Sequence, residues 1–364
     1  HKSAAKPKII RKIKHLAQAY RRCATLTALL RRYHRSMFSY RHAFHAGNHA
    51  DVLKHMTLIV TLEHLTQKDA GLTVVDTHAG AGLYRLDGDY AGKSGEAQDG
   101  VLKLFAQIRP VSASSALKVP QAFIQPTHVA TNKAAEQATA ASTSNGLAPA
   151  LLAYMDLIAN FNPNGQLKIY PGSPFVIQHL LRVEARDRLK LFELHPTDSK
   201  ALAANIAQLE AGRQVTVARL DGFEGLKALL PPPNRRALVL IDPSYELKND
   251  YGKVSACIQD SLKRFSTGTY AVWYPVIPRP EAHDLPRRLK TLAIQAKKPW
   301  LHATLTIGTD LAPDPNDRPG LRASGIFLIN PPHTLKAALQ AALPQVLQVL
   351  GRGAGKGCTL DAGG

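Results

Sequence analysis

The sequence predicts an α/β fold: a seven-stranded, mostly parallel sheet with an antiparallel last strand and a small helical insertion. Three observations predict it. From Tyr40 onward, short apolar runs bounded by turn residues alternate with stretches of helical period, the pattern left by parallel strands and crossover helices. Seven runs qualify, at residues 72–76, 189–194, 215–220, 237–242, 269–274, 301–307 and 325–330. The last two are separated only by residues 309–322, rich in Asp, Pro, Asn and Gly, with no room for a crossover helix. They should therefore pair as an antiparallel hairpin.

The 364 residues are 45% apolar, enough to bury a sizeable core. Residues 1–36 hold 11 Lys and Arg and no acid, so of the net +19 the remainder carries +8. This segment is partly amphipathic, through Ile9, Ile10, Ile13 and Leu16 and then Leu26, Leu29 and Leu30. Three readings compete for it: a targeting segment, a basic RNA-binding arm, or sequence translated upstream of a start at Met37. The last is preferred because the sequence opens on His, so residues 1–36 are set outside a domain expected to span 37–350.

Between about 83 and 170 the strand–helix alternation stops, and helical patterns at 100–108 and 147–161 predict a helical insertion. Inside it, residues 111–146 are dominated by Ala, Ser, Thr and Gln and are expected to be a disordered loop. The Gly-rich tail, 351–364, is expected to be flexible. No apolar run approaches the length of a bilayer span, so no membrane association is expected. A sequence pI of about 9.9 points to polyanionic partners. Cys23, Cys257 and Cys358 lie far apart without a C-x-x-C pair, which argues against a disulfide framework or a cysteine-rich zinc site. A reducing compartment follows, and the expectation is a cytoplasmic monomer.

The chemistry-bearing residues fall at strand ends. The first strand runs into Asp76-Thr77-His78-Ala79-Gly80-Ala81-Gly82, where Gly80 and Gly82 would let the backbone approach a ligand closely. A tight turn without a ligand is the competing explanation. The third residue after Gly82 is Arg85 rather than glycine, which counts against a nicotinamide dinucleotide. The second strand ends at Glu193, suited to a ribose diol, and the third at Asp221-Gly222, suited to an adenine amino group. Each acid alone reads more readily as a solvated strand end; three such ends in succession point to a nucleoside-containing cofactor. By analogy of fold, a mostly parallel sheet closed by a hairpin is the Rossmann-like architecture of class I methyltransferases, which use S-adenosylmethionine (SAM).

The fourth strand runs into Asp242-Pro243-Ser244-Tyr245, which resembles the [D/N/S]-P-P-[Y/F/W] motif of amino-group methyltransferases. The lone pair of an adenine N6 is delocalised into the ring, so a site that alkylates it must orient the nitrogen as well as bind it. Asp242 can accept one N6–H and the Pro243 carbonyl the other, while the carboxylate stabilises developing positive charge. Tyr245 would stack on a flipped base. Asn330-Pro331-Pro332-His333 mimics this motif but follows the seventh strand, away from the Gly-rich loop. Residues 40–55 hold four histidines, and His45 and His49 have i, i+4 spacing. No third ligand completes a metal set, so no metal is expected, and contacts to nucleotides suit these residues better.

With these residues in view, the chain resembles the RlmJ family, methyltransferases that modify N6 of an adenosine in 23S ribosomal RNA. The resemblance runs from Met37 to about Leu350. It is carried by Ser39-Tyr40-Arg41-His42, Gly47-Asn48-His49-Ala50-Asp51-Val52-Leu53-Lys54-His55 and Asp76 through Gly82, and by Tyr170-Pro171-Gly172-Ser173-Pro174, Glu193-Leu194-His195-Pro196 and Trp273-Tyr274-Pro275. It implies SAM as cofactor, held by His55, His78, Ser173, Glu193, Asp221, Gly222 and Asp242, with Asp242 as catalytic acceptor and Tyr40 touching the RNA. One departure falls in the motif, where Ser244 replaces the second proline. An N6-adenine DNA methyltransferase and a catalytically silent RNA-binding protein on the same scaffold are the alternatives; RNA–DNA competition separates the first, and turnover against SAM affinity the second.

Overall fold

The computed structural model describes residues 45–87, 96–108, 146–309 and 320–364. Residues 1–44, including Tyr40, and 109–145, which hold nearly all of the expected loop, lie outside the described residues.

Helix α1 (His49–Leu65) opens on Asn48, whose side-chain oxygen accepts from the amides of Ala50 and Asp51, both at 3.0 Å. Two otherwise unpaired N–H groups of the first turn are thereby satisfied. β1 (Thr73–Asp76), β2 (Leu83–Arg85), a π-helical turn at Gln98–Leu102, α2 (Lys103–Ile108), α3 (Pro149–Asn160) and β3 (Ile169–Pro171) follow. The alternation then runs through α4 (Ser173–Leu180), β4 (Arg188–Phe192), α5 (Pro196–Ala207), β5 (Val215–Ala218), α6 (Gly222–Leu229), β6 (Ala237–Ile241) and α7 (Asn249–Arg264). β7 (Thr269–Pro275), α8 (Pro280–Gln295), β8 (Trp300–Thr306), β9 (Ala323–Ile329), α9 (Leu335–Leu350) and β10 (Gly357–Gly363) come last.

The main sheet has the order β10-β8-β9-β7-β6-β1-β4-β5. β5, β4, β1, β6 and β7 are mutually parallel, and β9 lies antiparallel between β7 and β8. All seven runs expected from sequence are strands, and the last two form the expected hairpin, with Trp300 opposite Ile329. The insertion is closed at its neck by a separate two-stranded sheet, in which Leu83 pairs with Pro171.

The tail requires a correction. Residues 357–363, expected to be flexible, form β10, an eighth strand antiparallel to β8 at the sheet edge. Its alternate residues Cys358, Leu360 and Ala362 pack against the core, so a period of two was present beneath the glycines.

Helices cover both faces of the sheet, which is why its central strands are continuously apolar. Neighbouring residues point to opposite faces: Val74, Leu238 and Leu240 join a core with α1, α3 and α9, while Val75, Val239 and Ile241 join a second core with α6, α7 and α8. All five residues of β6 are buried. This rigid centre delivers the residues that follow β1, β4 and β6 to one edge.

Candidate active site

At the carboxyl ends of the parallel strands, the backbone bends to make room. Gly80 and Gly82 have φ of 59° and 82°, the left-handed region that glycine occupies without steric cost. Gly80 donates its amide to Glu193 Oε2 at 2.8 Å, and His195 donates its own to Glu193 Oε1 at 2.8 Å. Glu193 therefore ties the loop after β1 to the end of β4. The N-terminus of α6 presses on the same loop: a Cβ at Gly222 would lie 2.0 Å from the Thr77 carbonyl oxygen. Asp221 caps α6 by accepting from the Phe223 amide at 2.8 Å, and the His78 ring meets Phe223 edge-on with centroids 4.9 Å apart.

Beneath this rim lies Asp76, fully buried at the end of β1. It accepts from Ser173 Oγ at 2.6 Å and from the His78 amide at 3.2 Å. Burial raises its pKa to about 7; the hydroxyl of Ser173 works against that shift, and the charge of nearby Asp242 adds to it. His55 is also buried, sharing a 2.9 Å hydrogen bond between Nδ1 and the Tyr170 hydroxyl, which in turn meets the Tyr154 hydroxyl at 3.2 Å. Its Nε2 has no hydrogen-bond partner among the described residues. Burial pushes its pKa down to about 3, so the ring is neutral and offers a donor or acceptor to a ligand.

The transfer side of the site is organised by a residue that sequence reasoning left unassigned. Lys54, on α1, donates to Asp242 Oδ2 at 2.6 Å and pairs with Asp51 Oδ1 at 2.9 Å, while Asp51 Oδ2 accepts from the Gly47 amide at 2.9 Å. The ammonium also lies 5.5 Å from the centroid of the Trp273 ring. Burial opposes the charge of Lys54, but Asp242 and Asp51 outweigh it and raise the pKa above the usual lysine range. Burial likewise opposes ionisation of Asp51, yet Lys54 and His55 bring it down to about 2. The result is an Asp51–Lys54–Asp242 chain in which Asp242 Oδ1 has no hydrogen-bond partner among the described residues.

Tyr245 departs from its expected role. Its ring is 2% exposed, packed against Tyr251 and Trp273 with centroids 4.7 and 6.1 Å away, and its hydroxyl donates to the Trp273 carbonyl at 2.6 Å. Apolar packing and a satisfied hydroxyl hold this ring inside the fold, so it presents no face for a base to stack on. Its backbone has φ of 55°, unusual for a non-glycine residue.

His55, His78, Gly80, Gly82, Ser173, Glu193, Asp221, Gly222, Asp242 and Pro243 thus lie along one edge of the sheet. Asn330 sits at the far edge, where its side chain donates to the carbonyls of Ser266 and Gly268. His45 and His49 do not converge: His45 bonds Glu96 at 2.9 Å, and the Nε2 of buried His49 has no partner among the described residues. Among the described residues no group of three His, Cys, Asp or Glu is placed to hold a metal, and no helix is long and apolar enough to cross a membrane.

The family described as Ribosomal RNA large subunit methyltransferase D, RlmJ matches residues 69–120 and 133–360. A protein of Escherichia coli named Ribosomal RNA large subunit methyltransferase J is 37% identical over 85% of this chain and 92% of its own length. One of the same name from Haemophilus influenzae is 38% identical over 86% and 94%. Among solved structures, a protein of Legionella pneumophila superposes with a TM-score of 0.66 at 29% identity, covering 88% of this chain and 98% of that one. The extent of these matches places the chain in the RlmJ family of ribosomal RNA large subunit methyltransferases.

Proposed function

We propose that the chain transfers a methyl group from SAM to N6 of an adenosine in 23S ribosomal RNA, and so works in the cytoplasm. The observation that carries this reading is Asp242: it follows the central strand β6, stands beside the Gly-rich loop, and has one oxygen held by Lys54 while the other has no hydrogen-bond partner among the described residues.

The residues suit the cofactor. Glu193 spends one hydrogen bond on each oxygen and keeps a lone pair on each for a diol. Buried beneath the same edge are the Nε2 of His55, without a partner among the described residues, and the acid Asp76, close to the contact of Gly222 with Thr77. Bound there, SAM supplies an electrophilic methyl group and brings positive charge beside carboxylates.

Asp242 Oδ1 accepts one N6 hydrogen and the Pro243 carbonyl the other, so the nitrogen lone pair is turned out of the ring plane. Lys54 holds Asp242 in place, so the carboxylate faces the amino group as positive charge develops on it. The chain's net positive charge favours association with RNA.

The test is tritium transfer from labelled SAM into 23S ribosomal RNA lacking its native N6-methyladenosines. Label is expected in a single N6-methyladenosine and should vanish in Asp242→Ala. Demonstrated SAM binding without label, or preferential label in DNA, would overturn the reading.

A further inference from the structure

The four residues after β6 are restrained unevenly. Ser244 is exposed, and neither its amide nor its hydroxyl is hydrogen-bonded among the described residues. Tyr245, by contrast, is pinned in the left-handed region at φ 55°. Its hydroxyl is fixed on the Trp273 carbonyl, and its own carbonyl accepts from Arg279 Nη1 at 3.2 Å. The same nitrogen reaches the Glu246 carbonyl at 3.4 Å. Arg279 is itself anchored in the turn that starts α8: its amide donates to the Ile277 carbonyl at 2.7 Å, and its carbonyl accepts from the Ala282 amide at 3.1 Å.

We propose that Arg279 is a positioning residue for methyl transfer, supplying the catalytic loop with the restraint that proline would give at position 244. This rests on Asp242 and Pro243 being the groups that hold the amino nitrogen. A proline at 244 would lock its own φ and confine Pro243 to extended backbone, fixing the direction of the Pro243 carbonyl. Serine does neither. The guanidinium closes the far end of the loop instead, so the carbonyl that must aim at the amino group hangs between β6 and a clamp at Tyr245 and Glu246. Since β7 provides the Tyr245 anchor and the following turn provides Arg279, the shape of the loop is set by its neighbouring strand.

The test is a four-protein cycle: the native chain, Arg279→Ala, Ser244→Pro and the double variant. Arg279→Ala should lower kcat on 23S ribosomal RNA about tenfold with little change in the KM for RNA or in SAM affinity, because a small misplacement of the acceptor is costly. Ser244→Pro should raise kcat, and in its background Arg279→Ala should cost only about twofold, the signature of coupled residues. Arg279→Lys, which keeps the charge without the fork, should retain the KM and recover only part of kcat.

Equal losses in both backgrounds would overturn the proposal, as would a loss confined to the KM, which would make Arg279 a phosphate contact. Hydrogen exchange at the amides of 245–248 reads the loop without turnover: Arg279→Ala should speed it and Ser244→Pro restore it. Unchanged exchange would also overturn the proposal. If no RNA were methylated by the native chain, the functional reading would fail while exchange still decided the clamp.

Discussion

Lys54 shows what one cation does when two carboxylates depend on it. Its partners Asp51 and Asp242 have side chains 17% and 14% exposed, so removing the ammonium leaves two poorly hydrated anions facing each other. Lys54→Ala is expected to cost about 1–3 kcal/mol of stability and to cut methyl transfer about a hundredfold or more, read by thermal unfolding and tritium transfer. Retained transfer would show that Asp242 needs no fixed cation. Asp76 gives a pH signature. Its folded pKa, about 7, lies above that of an unfolded aspartate, so the unfolded chain releases the proton first as pH rises. The stability it contributes is therefore full below about pH 4 and lost by about pH 7. A cationic cofactor favours the ionised form, so SAM binding near pH 7 should release a proton and tighten as pH rises through 6–8. Calorimetry in buffers of different ionisation enthalpy checks this, and Asp76→Asn should abolish the release. Neither residue stood out in the sequence. Lys54 meets Asp242 across 188 residues, a pairing only the fold creates, whereas Gly80, Glu193 and Asp221 sit at strand ends and could be read in order.

At the scale of elements, the site exists because loops from three strands touch one another. Gly222 is the tightest of these contacts, with a Cβ there meeting backbone oxygen that cannot rotate away. Gly222→Ala should push α6 off the loop after β1, weakening SAM binding at least tenfold for a displacement of about an ångström, with a loss of about 1–3 kcal/mol in stability from overpacking. Calorimetric titration and melting would show it; unchanged affinity would mean that the loop does not shape the cofactor site. The strand ends were legible because buried parallel strands are short apolar runs with abrupt polar stops. Tyr245 was not, because a motif names residue types and leaves their direction open: the left-handed backbone turns this ring into the second core. β2 and β3 escaped notice because three residues are too few for a period.

The whole molecule is an eight-stranded sheet whose ends do different work. The parallel half carries the site, and the antiparallel half, β9-β8-β10, extends the sheet away from it. β10 matches all seven residues of β8, packs Cys358, Leu360 and Ala362 on the core, and rests on α9. Without it β8 would become the edge, with a row of unpaired N–H and C=O groups and apolar side chains such as Leu301, Ala303 and Leu305 nearer water. Deleting residues 356–364 is expected to cost about 2–4 kcal/mol, mostly from apolar area returned to solvent, which for a chain of this size lowers the melting temperature by about 3–6 °C. SAM affinity should be unchanged at temperatures where the variant is folded, since β8 is separated from β6 by β9 and β7. The variant should also self-associate at micromolar concentration in light scattering, because a bare edge invites another strand. An unaltered melting temperature would mean that β10 adds nothing to the fold. A fall in affinity parallel to the melting temperature would mean that the two halves of the sheet do not yield separately, and that the edge strand supports the site through the sheet as one cooperative unit.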